Sequence, residues 1–282
     1  MSILLNEQRV GNFTSSQIYR LIEGTRGLTD KQDAYLNQLI DRKALAENGE
    51  AKVLTAKMEA DLAELTEKRD NPGPTTSQAT YIEEKQIEKR LGRAIAVEKY
   101  GRPMAWGHFM EQFVFTKFTG LDYQIEANKT YQHPTIKGWS GSTDLKVEGV
   151  KVSDIKCYEP KKAALYKDAL MAKDIDKLRE DFAQEYWQLV SNAAIHQVPN
   201  AEAICFIPYL EELEEIREMA ANYEGPDQWK YRFISESENI ELPYIPKGGY
   251  YENYTSFEFE IPNQDLDFCT KIVKESINLL NA

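Results

Sequence analysis

A chain of 282 residues that is 42% hydrophobic is long enough to bury a proper core, in one large or two small domains. Its formal charge of −12 excludes an indiscriminate nucleic-acid coat protein, whose phosphate contacts need a basic surface. It leaves room for an enzyme that grips DNA only in a narrow, lysine-lined channel beneath an acidic exterior. Residues 1–7 lack the basic stretch and apolar run of a signal peptide, and no apolar run approaches the ~20 residues that span a bilayer, so a cytoplasmic protein with no membrane partner is expected. Cys157, Cys205 and Cys269 have no paired spacing, which excludes a thiolate cage for zinc or an iron–sulfur cluster and predicts reduced, buried thiols.

Thr14, Ser15 and Ser16, followed by Ile18, Leu21 and Ile22 and then Gly24, predict a short helix with hydroxyl caps and a glycine stop. From Thr29 to Arg69 the sequence is rich in helix formers, with Leu54, Met58, Leu62 and Leu65 at helical spacing, and breaks at 71–74; it predicts a helical hairpin inserted into the domain. A helix over 78–100 leads through Gly101 and Pro103 into one carrying Trp106, Phe109, Met110, Phe113, Val114 and Phe118, which is expected to be buried. Short strands follow over 124–131, 142–147 and 150–158, the last two joined by a hairpin turn at Glu148 and Gly149. A long helical run over 161–196 comes next, then a strand at 203–209, a helix at 210–223, strands around Tyr231 and Phe257, and a closing helix at 264–280. The whole reads as one α/β (α+β) domain, 1–282, with a central mixed sheet flanked by helices, the hairpin 29–69 inserted, and 200–282 as a C-terminal extension.

In the strand over 150–158 the period of two places Asp154 and Lys156 on one face and Ile155 on the other. Asp144, near the start of the preceding hairpin strand, can be folded towards them. Two carboxylates and an amine at one place suit Mg²⁺, a hard cation that takes one or two carboxylates and completes its shell with water and phosphate. An acid-x-lysine triplet has little weight alone, since Glu50 with Lys52 and Glu83 with Lys85 match it too. Glu111 supplies the weight. On its helix it has Val114, Phe115 and Phe118 at i+3, i+4 and i+7, so its carboxylate lies against apolar surface where a lone charge is costly and a cation relieves it. Gly107, one turn earlier, leaves room for a backbone or ligand.

These residues, in this order, resemble the lambda-type exonucleases of the PD-(D/E)XK nuclease superfamily. Arg9, Gly11, Thr14, Ser15 and Ser16 resemble the family's N-terminal arginine-x-glycine-x-x-threonine-(alanine or serine)-serine signature; Ala105, Trp106 and Gly107 with Glu111, then Phe118, Thr119 and Gly120, resemble its glycine-x-x-x-glutamate helix. Ser142, Thr143 and Asp144 stand where the family has serine-proline-aspartate, and Asp154, Ile155, Lys156 and Cys157 where it has glutamate-leucine-lysine-cysteine. Tyr186, Trp187 and Gln188 resemble its glutamine helix. Thr143 in place of proline and aspartate at 154 in place of glutamate are the two departures; the proline is not a ligand, and a shorter carboxylate still reaches a metal after a small shift.

The resemblance implies a restriction-endonuclease-like fold and a 5′-to-3′ exonuclease acting on double-stranded DNA ends. It implies that Glu111, Asp144, Asp154 and the Ile155 carbonyl hold one or two Mg²⁺, for which Mn²⁺ can substitute, with Lys156 positioning the water and Gln188 at the edge of the site. Arg9, Thr14, Ser15 and Ser16 would hold the 5′ phosphate, in keeping with the positive end of a helix dipole and the arginine fork. A ring-shaped homotrimer and a single-strand annealing recombinase are the partners it implies. His108, His133 and His196 are expected to be structural, with His108 a candidate DNA contact, and the tyrosines over 244–254 either stack on bases or pack. Two rivals stand: a site-specific or structure-specific endonuclease of the same superfamily, against which the end-phosphate corner argues, and a catalytically silent DNA-end binding protein, against which the complete set of metal-site side chains argues. A helicase-nuclease is disfavoured because no phosphate-cradling glycine loop is present.

Overall fold

The computed structural model describes residues 8–24, 27–95, 101–118, 122–126, 129–225 and 228–282. The chain forms two compact units: Arg20–Glu83, and the described residues up to Tyr19 together with those from Glu84 to Ala282. Among the described residues no helix is long and apolar enough to cross a membrane.

The smaller unit is built on α2 (Asp30–Glu47) and α3 (Ala56–Asp70). Thr29 and Gln32 close a reciprocal capping box on α2, and Thr55 Oγ1 accepts from Met58 N at 3.3 Å to start α3. Leu36, Leu39, Leu54 and Leu65 meet between them, as the leucine spacing requires. The 29–69 hairpin belongs to this unit.

The larger unit is organised by a five-stranded sheet in the order β2 (Gln124–Ile125), β5 (Leu145–Val147), β6 (Lys151–Lys156), β7 (Asn200–Phe206) and β8 (Tyr254–Glu260). Only β6 and β7 run parallel, joined through α6 (Pro160–Ala172), α7 (Ile175–Asp181) and α8 (Ala183–His196). A central strand in such a crossover is covered on both faces, and β6 is buried from Lys151 to Ile155. On one face Ile155, Leu145, Ile204 and Phe206 pack with Trp106, Phe109, Met110 and Phe113 of α5 (Arg102–Phe118). On the other, α8 crosses β6 and β7 and is backed by α11 (Asn263–Asn281). A second, three-stranded sheet holds β1 (Phe13–Thr14) parallel to β4 (Trp139–Gly141), with β3 (Tyr131–Gln132) antiparallel to β4.

Several elements differ from expectation for identifiable reasons. The strand expected over 124–131 is two fragments in different sheets, and Lys129 N donates to Glu126 O at 3.0 Å between them. Residues 142–144 are not a strand; the Thr143 hydroxyl donates to Ser153 O at 2.8 Å and Leu145 O at 3.1 Å, a tie that a proline could not make. The helical run breaks at Lys173, which has a φ of +52°, and at Asp174, whose carboxylate caps α7. After α9 (Leu213–Ala221), Tyr231 lies on α10 (Gln228–Glu236), not on a strand, and is buried there with Ile234, three residues on. The N-terminal segment passes from β1 through a 3-10 turn (Ser15–Gln17) to α1 (Tyr19–Ile22), without a side-chain cap from Thr14. The helix α4 (Thr76–Leu91) ends at Gly92, with φ +66°, and the expected continuation over 96–100 lies outside the described residues, as do Thr119, Gly120 and residues 1–7.

One close approach ties this architecture to the site. A Cβ on Gly141 would fall well inside van der Waals contact of Ser15 Oγ and Asn192 Oδ1, and 2.8 Å from Ile195 Cδ1. Gly141→Ala is expected to destabilise the protein by about 1–3 kcal/mol through overpacking, read as a fall in the urea midpoint at constant slope; an unchanged midpoint would show that α8 does not press on β4.

Candidate active site

β6 sets the centre of the site. Asp154 and Lys156 share the face towards α8, while Ile155 enters the core with α5. The β5–β6 hairpin turns at Gly149, with φ +69°, and brings Asp144 alongside, so that its Oδ2 accepts from Ile155 N at 2.6 Å. Gln188 of α8 donates from Nε2 to Asp154 Oδ1 at 2.6 Å and accepts from Lys156 Nζ at 3.3 Å, which defines its amide orientation. Lys156 Nζ lies 2.6 Å from Asp154 Oδ2 and forms an ion pair with it, which is the one contact found for this buried oxygen among the described residues.

The charges interact strongly because the site is poorly hydrated. Burial and then the charge of Asp154 push the Asp144 carboxyl up to about 7, against Lys156 and the Ile155 N–H. Burial raises Asp154 as well, opposed chiefly by Lys156. Glu111, half-buried on α5, is raised well above the carboxylate range by burial and by Asp144 and Asp154, with Lys156 opposing. Burial alone would lower Lys156, but Asp154, Asp144 and Glu111 outweigh it and hold the ammonium in its charged form. The four groups predicted from sequence are therefore within one electrostatic neighbourhood. Gly107 is not required for space, since a Cβ there would make only an ordinary 3.8 Å contact with Cys157 O.

The arrangement has the donor chemistry of a divalent-cation site: hard oxygens close together and a mutual repulsion that a cation relieves. It is not a finished ligand set. Among the described residues no three His, Cys, Asp or Glu side chains are placed to hold one ion together, so binding would require these carboxylates to shift.

Sequence reasoning missed the polar stripe of α8. Glu185 accepts from Tyr158 OH and from Lys162 Nζ, the latter at 2.9 Å; one turn on is Gln188; the next turn brings Ser191, whose Oγ meets Ser15 Oγ and Trp139 Nε1 at 2.8 Å each, and Asn192, which donates to Ser142 O at 2.9 Å. Polar residues at three- to four-residue spacing in an otherwise apolar helix were the available signal. The stripe ties the N-terminal corner to the carboxylates. In that corner Thr14 and Ser15 are buried, and Arg9 and Ser16 are half-buried. No hydrogen bond or ion pair of the Arg9 guanidinium is found among the described residues.

His133 Nδ1 accepts from Thr135 N and Ile136 N, and its ring stacks on Trp139; His196 packs edge-on against Tyr131. Tyr244 and Tyr254 pack on the core, whereas Tyr250 is 82% exposed and Tyr251 donates to Asp168. The three cysteines are free and buried.

Since the folded Asp144 carboxyl binds its proton more tightly than it would in the unfolded chain, the folded state carries the extra proton between pH 4 and about 7, and stability must fall as pH rises through that window. Asp144→Asn, which keeps an acceptor for Ile155 N, should flatten this fall and stabilise the protein at pH 8 in chelator, measured by urea unfolding. The same slope in both proteins would contradict the electrostatic account.

No protein-family model matches the sequence, and no curated protein matches it. The structure is similar to that of an alkaline exonuclease, LHK-Exo, from Laribacter hongkongensis, with a TM-score of 0.53 and 11% identity over 97% of this chain and 89% of that one. LHK-Exo in complex with dAMP gives 0.54 at 12% identity over the same shares. A phage-related exonuclease from Haemophilus somnus 129PT gives 0.47 at 12% identity, over 95% of this chain and 93% of that one. At such identities the likeness is one of fold: the chain has the PD-(D/E)XK-like α/β fold of the Laribacter alkaline exonuclease.

Proposed function

We propose that this chain is a Mg²⁺-dependent exodeoxyribonuclease that degrades linear double-stranded DNA 5′ to 3′ and leaves single strands for recombination. The observation that carries the reading is the group of Glu111, Asp144 and Asp154 about the Lys156 ammonium, in which the hairpin holds Asp144 and Gln188 holds Asp154. The shared fold with an exonuclease solved with dAMP supports it.

In this reading Glu111, Asp144, Asp154 and the Ile155 carbonyl hold the Mg²⁺ or Mn²⁺. When bound, the cation supplies Lewis-acid polarisation of the phosphate and a water acidic enough to attack at neutral pH. Lys156, kept charged by its carboxylate neighbours, donates hydrogen bonds and so orients the water and offsets phosphate charge. Gln188 holds Asp154 and Lys156 in register. Arg9 binds the terminal 5′ phosphate with Thr14, Ser15 and Ser16. Because the Ser15 hydroxyl is engaged with Ser191, its contribution is to brace the corner. A ring-shaped homotrimer around DNA and a single-strand annealing partner belong to the same reading.

The test is nucleotide release from linear duplexes with and without a 5′ phosphate, beside a closed circle. The wild-type protein should release nucleotides with Mg²⁺ or Mn²⁺, favour the phosphorylated ends and spare the circle. Lys156→Ala should lower release about a hundredfold or more, the loss typical of removing one preorganised donor. Equal release by the two proteins, or rapid cutting of the circle, would reject the proposal.

A further inference from the structure

The N-terminal turn that carries Arg9 is clamped from beneath. Its Gly11 N–H donates at 3.0 Å to Oε2 of Glu88 on α4, and the same oxygen receives Lys85 Nζ at 2.8 Å, one helical turn away. Glu88 Oε1 faces Ile95 N at 3.4 Å. The Glu88 and Lys85 side chains are only 5% and 10% exposed. Gly11 has a φ of +66°, and a Cβ there would lie 2.5 Å from Lys89 Cγ, so the turn is pressed against one face of α4. Within the turn Asn12 N donates to Arg9 O at 3.2 Å and Asn12 Nδ2 to Gln8 O at 2.9 Å, and Phe13 N continues to Gly138 O. A pair of charges buried this deeply gains little stability over apolar residues of the same size, yet breaking it is costly. Its evident product is a fixed path for the backbone two residues from Arg9.

We infer that Glu88, neutralised by Lys85, is a positioning residue for end recognition: it touches no substrate, but by holding Gly11 N–H it presents the Arg9 guanidinium, for which no partner is found among the described residues, to the terminal phosphate. The inference rests on the reading of Arg9 as the end-phosphate ligand. It separates two properties of the enzyme, since the clamp governs capture of phosphorylated ends and leaves the chemistry at Asp154 and Lys156 alone.

Two double variants test it. Lys85→Met with Glu88→Leu removes the acceptor; Lys85→Met with Glu88→Gln keeps an uncharged one. The leucine variant should raise KM for 5′-phosphorylated duplex about tenfold while preserving kcat and the KM for 5′-hydroxyl duplex, and the glutamine variant should restore the wild-type value. An unchanged KM, an equal loss on both ends, or no rescue by glutamine would overturn the positioning role. Arg9→Ala is run alongside. If it removes the phosphate preference and the leucine variant does not, only the clamp falls; if it leaves the preference intact, the reading of Arg9 falls and the clamp's role with it. Amide exchange in the wild-type protein gives a check free of folding effects: Gly11 N–H should exchange slowly, and exchange as fast as in an open turn would overturn the clamp.

Discussion

The rest of the site depends on a half-buried lysine ammonium set among three carboxylates at the end of a central strand. Asp154, Asp144 and Glu111 each resist ionisation there because burial and their neighbours' charge act in the same direction, and Lys156 offsets only part of the cost. An arrangement of this kind would be removed by any sequence under pressure only for stability, since buried charges that are not fully paired are expensive. At the end of β6 the repulsion among these carboxylates makes the site one that a further positive charge would relieve.

The scaffold explains how the groups stay together. β6 is held between β5 and β7, so the positions of Asp154 and Lys156 are fixed by backbone pairing on both sides. α8 fixes them from above through Gln188 and, at about 4.5 Å further along its axis, reaches the N-terminal corner through Ser191. A rigid helix contacting both places sets their separation. On the proposed function, this is how the distance from a bound end to the bond that is cut would be kept constant from one cycle to the next.

Much of this was legible in the sequence where one periodicity decides. The alternation around Asp154 placed it opposite Ile155, and the spacing of Phe109, Phe113 and Val114 marked α5 as buried with Glu111 at its margin. The hairpin turn at Gly149 was readable because few residues other than glycine accept its conformation. What failed was decided by contacts distant in sequence. The segment 124–131 divides because its two ends pair with different strands, and the break at Lys173 in the run before α8 has no proline or glycine to announce it. Tyr231 looks β-like by residue type, yet it is helical because Phe109 and Tyr223 supply an aromatic surface that α10 can cover with one face. The clamp on Gly11 is a partnership 77 residues apart, invisible to any local pattern.

Calorimetric titration of Mn²⁺ into the wild-type protein and into Glu111→Gln, Asp144→Asn and Asp154→Asn tests the carboxylate group most directly, because it reads cation binding without DNA or turnover. The account predicts saturable uptake by the wild type and at least about tenfold weaker binding in each variant, the loss of one charged ligand contact. Uptake of equal strength in all four proteins, or none in the wild type, would contradict it.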